Sequence, residues 1–179
     1  SHPEVVQGLV LISTAFGGPK SRAVQPSNKI LAAMFATPTE TISLQEATAI
    51  RRSTAWSESF LKENERLVKQ MDKWISENPQ PDYARGRQAE AGLSFDSEEF
   101  AGKITAPTLI LHGEKDQIVI PENAEMLLNT IPNSRLIFFR NSPHRILVER
   151  HNEVNNIILD FLTEVETGSY NPEPKKIYI

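Results

Sequence analysis

Three short runs of apolar residues constrain the fold of this 179-residue chain more than any other feature. They occupy residues 8–13, 108–112 and 135–139, and turn residues such as glycine, proline and asparagine lie at their ends. Continuous apolarity over so few residues is typical of strands buried on both faces, as in a parallel sheet. Helical spacing of apolar residues follows the last two runs, over residues 121–131 and 149–162. The alternation of strand and helix predicts an α/β fold with three parallel strands and flanking helices.

The stretch between the first and second runs is polar and contains no strand-like segment. Ser27 can cap a helix that continues to residue 35, and Ser43-Leu44-Gln45-Glu46 fits a capping box that opens another. Apolar residues recur at helical intervals over residues 58–77, and a further helix is expected over residues 82–91. This segment is therefore predicted to be wholly helical.

A helical insertion of roughly 80 residues needs a partial core of its own. Its expected place is over the carboxyl ends of the strands, where α/β sheets bind ligands. The predicted organisation is a core strand and loop (1–19), an all-helical cap (20–102), a C-terminal part of the core (103–165) and an extended tail (166–179).

Composition excludes several classes of function. Twenty-three acidic and 19 basic residues give a net charge of −4, which argues against a broad nucleic-acid-binding surface. No run of about 18 apolar residues predicts a membrane span, and no signal peptide is visible, so a cytoplasmic location is the default expectation. The absence of cysteine excludes disulfides, thiolate metal sites and a cysteine nucleophile within these residues. The eight glycines form no phosphate-binding loop.

Two residues at predicted strand ends carry the strongest chemical signal. Asp116 follows the second apolar run and His144 follows the third, 28 residues later. Because parallel strands end at the same edge of a sheet, the two side chains are expected to meet. A carboxylate can hold an imidazole in one tautomer, and the imidazole can then manage protons for a nucleophile. The spacing thus indicates an acid–histidine catalytic pair.

Three segments of the chain carry a recognisable pattern: residues 104–116, residues 131–136 and Ser142-Pro143-His144. They strongly resemble the strand and acid loop, the entry to the last strand and the histidine loop of the α/β-hydrolase enzymes. The first residues and the helical middle resemble that family more loosely. The resemblance implies the last three strands of a hydrolase sheet, a helical cap, Asp116 as the acid and His144 as the base. It also implies a serine-type esterase or lipase-like activity that needs no metal and no organic cofactor.

The nucleophile of that family lies on a Gly-x-Ser-x-Gly turn, and no such turn occurs in this chain. Ser13 follows an apolar run, but by the resemblance it ends the strand after the nucleophile's strand. We therefore expect residues 1–179 to be the C-terminal portion of a hydrolase whose serine lies upstream, and to be inactive alone. The expected partners are a small ester-like substrate and either the missing N-terminal half or a second copy at the exposed strand edge.

Two alternatives stay open at this level. The same framework carries epoxide hydrolases and dehalogenases with an aspartate nucleophile, and it also serves as a non-catalytic binding module. Among the other polar residues, His112 is expected to be a packed structural histidine within a strand. Glu149 is expected to favour the dipole at the start of the last helix.

Overall fold

A computed structural model describes residues 3–23, 26–35 and 42–179. Four parallel strands form one sheet in the order β1-β2-β3-β4. They are β1 (Leu9–Ile12), β2 (Thr108–Gly113), β3 (Ser134–Phe139) and β4 (Lys176–Tyr178). The three predicted strands are present, and helices flank the sheet, so the α/β class is confirmed.

The fourth strand corrects the prediction of three strands and a merely extended tail. β4 pairs with β3 in parallel, with Ile177 opposite Ile137. The Tyr178 ring stacks on Phe138 with centroids 5.2 Å apart, and the amide of Arg140 donates to the carbonyl of Ile179 at 2.8 Å. Three residues are too few to show a strand pattern in the sequence, and only pairing with a distant strand stabilises them.

Both faces of the sheet are covered by helices, as continuous apolarity predicts. Helix α8 (Glu122–Thr130) covers one face and α10 (His151–Glu166) covers the other. Ile110 of β2 packs in the cluster with α8, and its neighbours Leu109 and Leu111 pack in the cluster with α10. β2 is buried along its whole length. This central position fixes where its carboxyl end, and the loop that follows, can lie.

The segment between β1 and β2 is helical over the residues that the structure describes. Ser27 and Ser43 accept hydrogen bonds from the amides of Ile30 and Glu46, so both predicted caps are confirmed. The helices are α1 (Gly18–Ala23), α2 (Asn28–Phe35), α3 (Leu44–Ala55), α4 (Glu58–Glu63), α5 (Glu65–Glu77), α6 (Asp82–Ser94) and α7 (Glu98–Ala101). The division into core and cap at residues 20 and 102 stays a prediction.

The predicted single helix over residues 58–77 is wrong, because it is broken at Asn64. Asn64 has φ −120° and ψ 30°, and its side-chain amide donates to the carbonyl of Phe60 at 3.2 Å. A short polar side chain that bonds the preceding turn competes with the helical backbone. The break brings Val68 of α5 into a small cluster with Trp56 and Phe60, whose stacked rings are 4.9 Å apart.

Candidate active site

Asp116 lies in the loop after β2, and its side chain is withdrawn from solvent, with only 2% of the residue exposed. Its Oδ1 accepts hydrogen bonds from the amides of Ile118 at 2.8 Å and Val119 at 2.9 Å. These bonds stabilise the buried carboxylate and fix its orientation, because a buried charge requires hydrogen-bond partners. The second oxygen, Oδ2, remains available to another donor.

That donor is His144, in the loop after β3. Its Nδ1 lies 2.8 Å from Oδ2 of Asp116. Because an ionised carboxylate only accepts hydrogen bonds, Nδ1 carries the proton and Nε2 presents its lone pair. The His144 side chain is 28% exposed, whereas that of Asp116 has no exposed surface. The structure thus brings the two predicted residues together, with the acid buried and the imidazole accessible.

Glycine at position 113 allows the two loops to approach each other. A Cβ atom there would lie 2.3 Å from the carbonyl oxygen of Pro143 and 2.4 Å from that of Ser142. The amide of Lys115 donates to the carbonyl of Ser142 at 2.9 Å, which ties the acid loop to the histidine loop. A larger residue at the end of β2 would separate the loops.

His112 has a role that the sequence did not reveal. It is fully buried in β2, as expected, and its Nε2 donates to the carbonyl of Val119 at 2.8 Å. The same nitrogen lies 3.5 Å from Oδ2 of Asp116. Burial lowers the pKa of His112 below its usual value, so the ring is neutral. His112 therefore supports the acid loop from within the sheet.

Ser13 follows β1 and lies beside the histidine loop without contacting the imidazole through a hydrogen bond. Its Oγ donates to the backbone carbonyl of His144 at 3.2 Å, and its amide donates to the carbonyl of Leu111 at 3.0 Å. Its φ of 46° is in the left-handed region, which is uncommon for serine. These bonds hold the backbone of the histidine loop in place. They do not pair the Ser13 hydroxyl with the His144 imidazole as a nucleophile would require.

His144 lines a cavity of about 460 Å³. Its walls come from the sheet edge, from the loops that carry the site and from helices α2 and α3. The lining residues are Ile12, Ser13, Met34, Arg51, Ala55, Ile118, His144, Arg145, Leu147 and Val148. A mostly apolar cavity beside an accessible imidazole suits a small organic molecule.

Glu149 differs from its expected role at the start of the last helix. It ends the short helix α9 (Ile146–Glu149), and its carboxylate accepts hydrogen bonds from Ser57, from the amide at 3.0 Å and from the hydroxyl. Nearby, the amide of Arg145 donates to the carbonyl of Ala55 at 3.2 Å. Hydrogen bonds thus join the histidine loop to the start of α4. This contact could not be predicted from the sequence, because the partners are far apart along the chain.

Within residues 3–23, 26–35 and 42–179, no group of three or more His, Asp or Glu side chains is placed to hold a metal ion. In the same ranges, no helix has the length and apolarity to span a membrane.

The order of a strand, an acid, a further strand and a histidine along a parallel sheet is that of the α/β hydrolases. The model of the family described as "Serine aminopeptidase, S33" matches residues 1–151. The chain belongs to this family of α/β hydrolases.

Two relatives with curated names are a lipase and a hydrolase. Monoacylglycerol lipase ABHD6 of Mus musculus is 31% identical over 83 residues, which are 46% of this chain and 24% of the lipase. A 2-hydroxy-6-oxononadienedioate/2-hydroxy-6-oxononatrienedioate hydrolase of Cupriavidus pinatubonensis is 24% identical over 165 residues, covering 90% of this chain and 55% of that protein. The chain therefore spans only part of the length of the relatives that it matches.

Solved structures share the fold. The enol-lactonase from Burkholderia xenovorans superposes with a TM-score of 0.70 at 18% identity, covering 91% of this chain and 58% of the lactonase. Est816, an N-acyl homoserine lactone degrading enzyme, superposes with a TM-score of 0.68 at 21% identity, covering 90% of this chain and 60% of Est816. At these identities the likeness establishes the fold.

Proposed function

We propose that this chain supplies the acid and the histidine of a serine hydrolase that cleaves an ester or lactone of a small acyl compound. The observation that carries the proposal is the 2.8 Å contact between Asp116 and His144 Nδ1, which directs Nε2 away from the acid. The names of relatives support the substrate class, since they include a monoacylglycerol lipase and an enol-lactonase.

The proposed reaction begins with a serine hydroxyl that lies outside residues 1–179. His144 Nε2 takes the hydroxyl proton as the serine oxygen attacks the substrate carbonyl, and Asp116 stabilises the imidazolium that forms. The tetrahedral intermediate collapses to an acyl-enzyme, and His144 returns the proton to the leaving alcohol. Water then repeats the sequence on the acyl-enzyme, releasing the acid and the free serine.

The same proposal assigns a partner to the free edge of the sheet. β1 pairs with β2 on one side, and its other side has no strand partner among the described residues. All four residues of β1 are only half-buried. Unpaired backbone groups on an apolar strand favour the addition of another strand. We infer that this strand comes from the rest of the hydrolase, and self-association is the competing outcome.

The catalytic assignment is tested by His144→Gln in the complete enzyme, with the exposed His151→Gln as the matched control. On a short-chain p-nitrophenyl ester, the first variant should lose at least about 10³-fold in kcat/KM, since the other triad positions cannot replace the base. The control should keep the wild-type rate. A His144→Gln enzyme that retains its rate would show that the pair is not catalytic.

The nucleophile is tested by labelling the complete enzyme with a fluorophosphonate and locating the modified peptide by mass spectrometry. We expect a labelled serine outside residues 1–179. A label on Ser13 would contradict that placement. Absence of labelling with hydrolysis of an epoxide or haloalkane would indicate an aspartate nucleophile, and absence of all turnover would indicate a binding module.

The edge assignment is tested by light scattering of the isolated chain after size-exclusion chromatography. A complex with the rest of the hydrolase when the two are mixed is the expected result, and an oligomer of the isolated chain that does not bind the rest of the hydrolase would favour self-association instead. A stable monomer that binds neither would contradict it.

A further inference from the structure

Two arginines line the same cavity as His144. Arg51 lies on α3, and Arg145 follows His144 directly in the chain. Both also line a second cavity of about 440 Å³, which includes Trp56 and Asp72. The two cavities therefore meet at Arg51 and Arg145.

Neither guanidinium forms an ion pair with a carboxylate among the described residues. Arg51 donates to the carbonyl of Ala33 at 2.7 Å and to the hydroxyl of Thr48 at 3.4 Å, and both acceptors are neutral. The guanidinium of Arg145 lies over the ring of Trp56, 4.8 Å from its centroid.

The neighbouring charges show why an anion would be accommodated here. Asp72 lines the second cavity and is paired with Arg52, and among the described residues it forms no ion pair with Arg145. Burial lowers the pKa of Arg145, although the charge of Asp72 opposes this effect. A partly desolvated cation with no carboxylate at ion-pair distance is unfavourable, and an anionic ligand would reduce that penalty.

We propose that Arg51 and Arg145 form a carboxylate-binding subsite, and that the acyl part of the substrate carries a carboxylate at its far end. This inference rests on the proposed hydrolase function and names its substrate class. A guanidinium binds a carboxylate through two parallel hydrogen bonds, which fixes orientation as well as position. Because Arg51, Arg145 and His144 line one cavity, the bound carboxylate would orient the substrate within it.

A neutral substrate of the same shape would leave both guanidinium groups without a carboxylate partner. Half-esters of short dicarboxylic acids are accordingly the substrates that the cavity favours.

The experiment compares two esters with acyl chains of equal length, p-nitrophenyl hemiglutarate and p-nitrophenyl valerate, on the complete enzyme. We expect the hemiglutarate to be preferred, and Arg51→Met and Arg145→Met each to lower the ratio of the two kcat/KM values about 10- to 100-fold. Arg66→Met, which removes a surface arginine outside both cavities, should leave the ratio unchanged. An unchanged ratio in both cavity variants would overturn the subsite.

A second measurement does not depend on turnover. The same proteins are titrated calorimetrically with N-methylglutaramate, which carries a carboxylate, and with N-methylpentanamide, which does not. The wild-type enzyme should bind only N-methylglutaramate. This binding should be lost in Arg51→Met and Arg145→Met and kept in Arg66→Met. Equal binding of both amides would overturn the subsite even if neither ester is cleaved. Carboxylate binding without ester cleavage would instead contradict the proposed hydrolase function while supporting the subsite.

Discussion

Replacing Asp116 with asparagine separates the chemical role of the carboxylate from its structural role. The side-chain oxygen of asparagine can still accept the two hydrogen bonds that Oδ1 receives from Ile118 and Val119, at 2.8 and 2.9 Å. The amide nitrogen, however, would face Nδ1 of His144, where Oδ2 now accepts at 2.8 Å. The imidazole must then accept at Nδ1 and carry its proton on Nε2. In that tautomer it cannot take the proton of a nucleophile.

The two effects have different magnitudes. The loop keeps the hydrogen bonds that its backbone amides donate to the side chain at position 116. The unfolding free energy should therefore fall only by the difference between a charge-assisted and a neutral hydrogen bond, about 1–2 kcal/mol. Catalysis loses the correct tautomer and the stabilised imidazolium, for which a loss on the order of 10³- to 10⁴-fold in kcat is expected. That loss corresponds to about 4–5.5 kcal/mol of activation free energy. The effect on catalysis should therefore exceed the effect on stability severalfold.

The assay measures kcat on an ester and urea unfolding on the same preparation of the complete enzyme. Asp96→Asn is the matched control, because Oδ1 of Asp96 accepts from the amide of Glu98 at 3.1 Å, away from His144. The control should change kcat little. An Asp116→Asn enzyme within about tenfold of the wild-type kcat would refute the tautomer argument. A loss of stability as large as the loss of catalysis would show instead that the loop had collapsed.

Three further outcomes are expected from the described contacts. Ser13→Ala should lower kcat/KM less than about tenfold, because it removes only one hydrogen bond to the backbone of His144. A loss of kcat/KM above about 10³-fold in steady-state kinetics would instead identify Ser13 as the nucleophile. Glu149→Gln should lower the free energy of unfolding by about 1–2 kcal/mol, because it weakens the hydrogen bonds from Ser57. Amide hydrogen exchange at the start of α4 should become faster. Unchanged exchange there would count against a stabilising role of this contact. Because burial lowers the pKa of His112, the unfolded chain takes up a proton below about pH 6.5 that the folded chain does not. The free energy of unfolding should therefore keep its full value above that pH and fall by up to about 1.4 kcal/mol per pH unit below it. The fall should be steeper in the wild-type protein than in His112→Gln. Equal slopes of the unfolding free energy against pH, measured by urea titration of both proteins, would contradict the assignment.

Much of the fold could be predicted because its signals are local. Continuous apolar runs marked β1, β2 and β3, and capping serines marked the helices that begin after Ser27 and Ser43. The break at Asn64 could not be predicted, since a single side-chain bond to the preceding turn decided it. β4 was missed because its three residues are stabilised by β3, not by their own pattern.

The candidate site divides in the same way. That an acid and a histidine follow adjacent parallel strands could be predicted from the sequence, because strand order and chain direction place both loops at one edge. The hydrogen bonds from Ser57 to Glu149, and the cavity that Arg51 lines together with His144, are visible only in the folded chain. The difference lies in the range of the interactions. Propensity and capping act within a few residues of the chain, whereas these contacts depend on how helices from a distant segment pack over the strand ends.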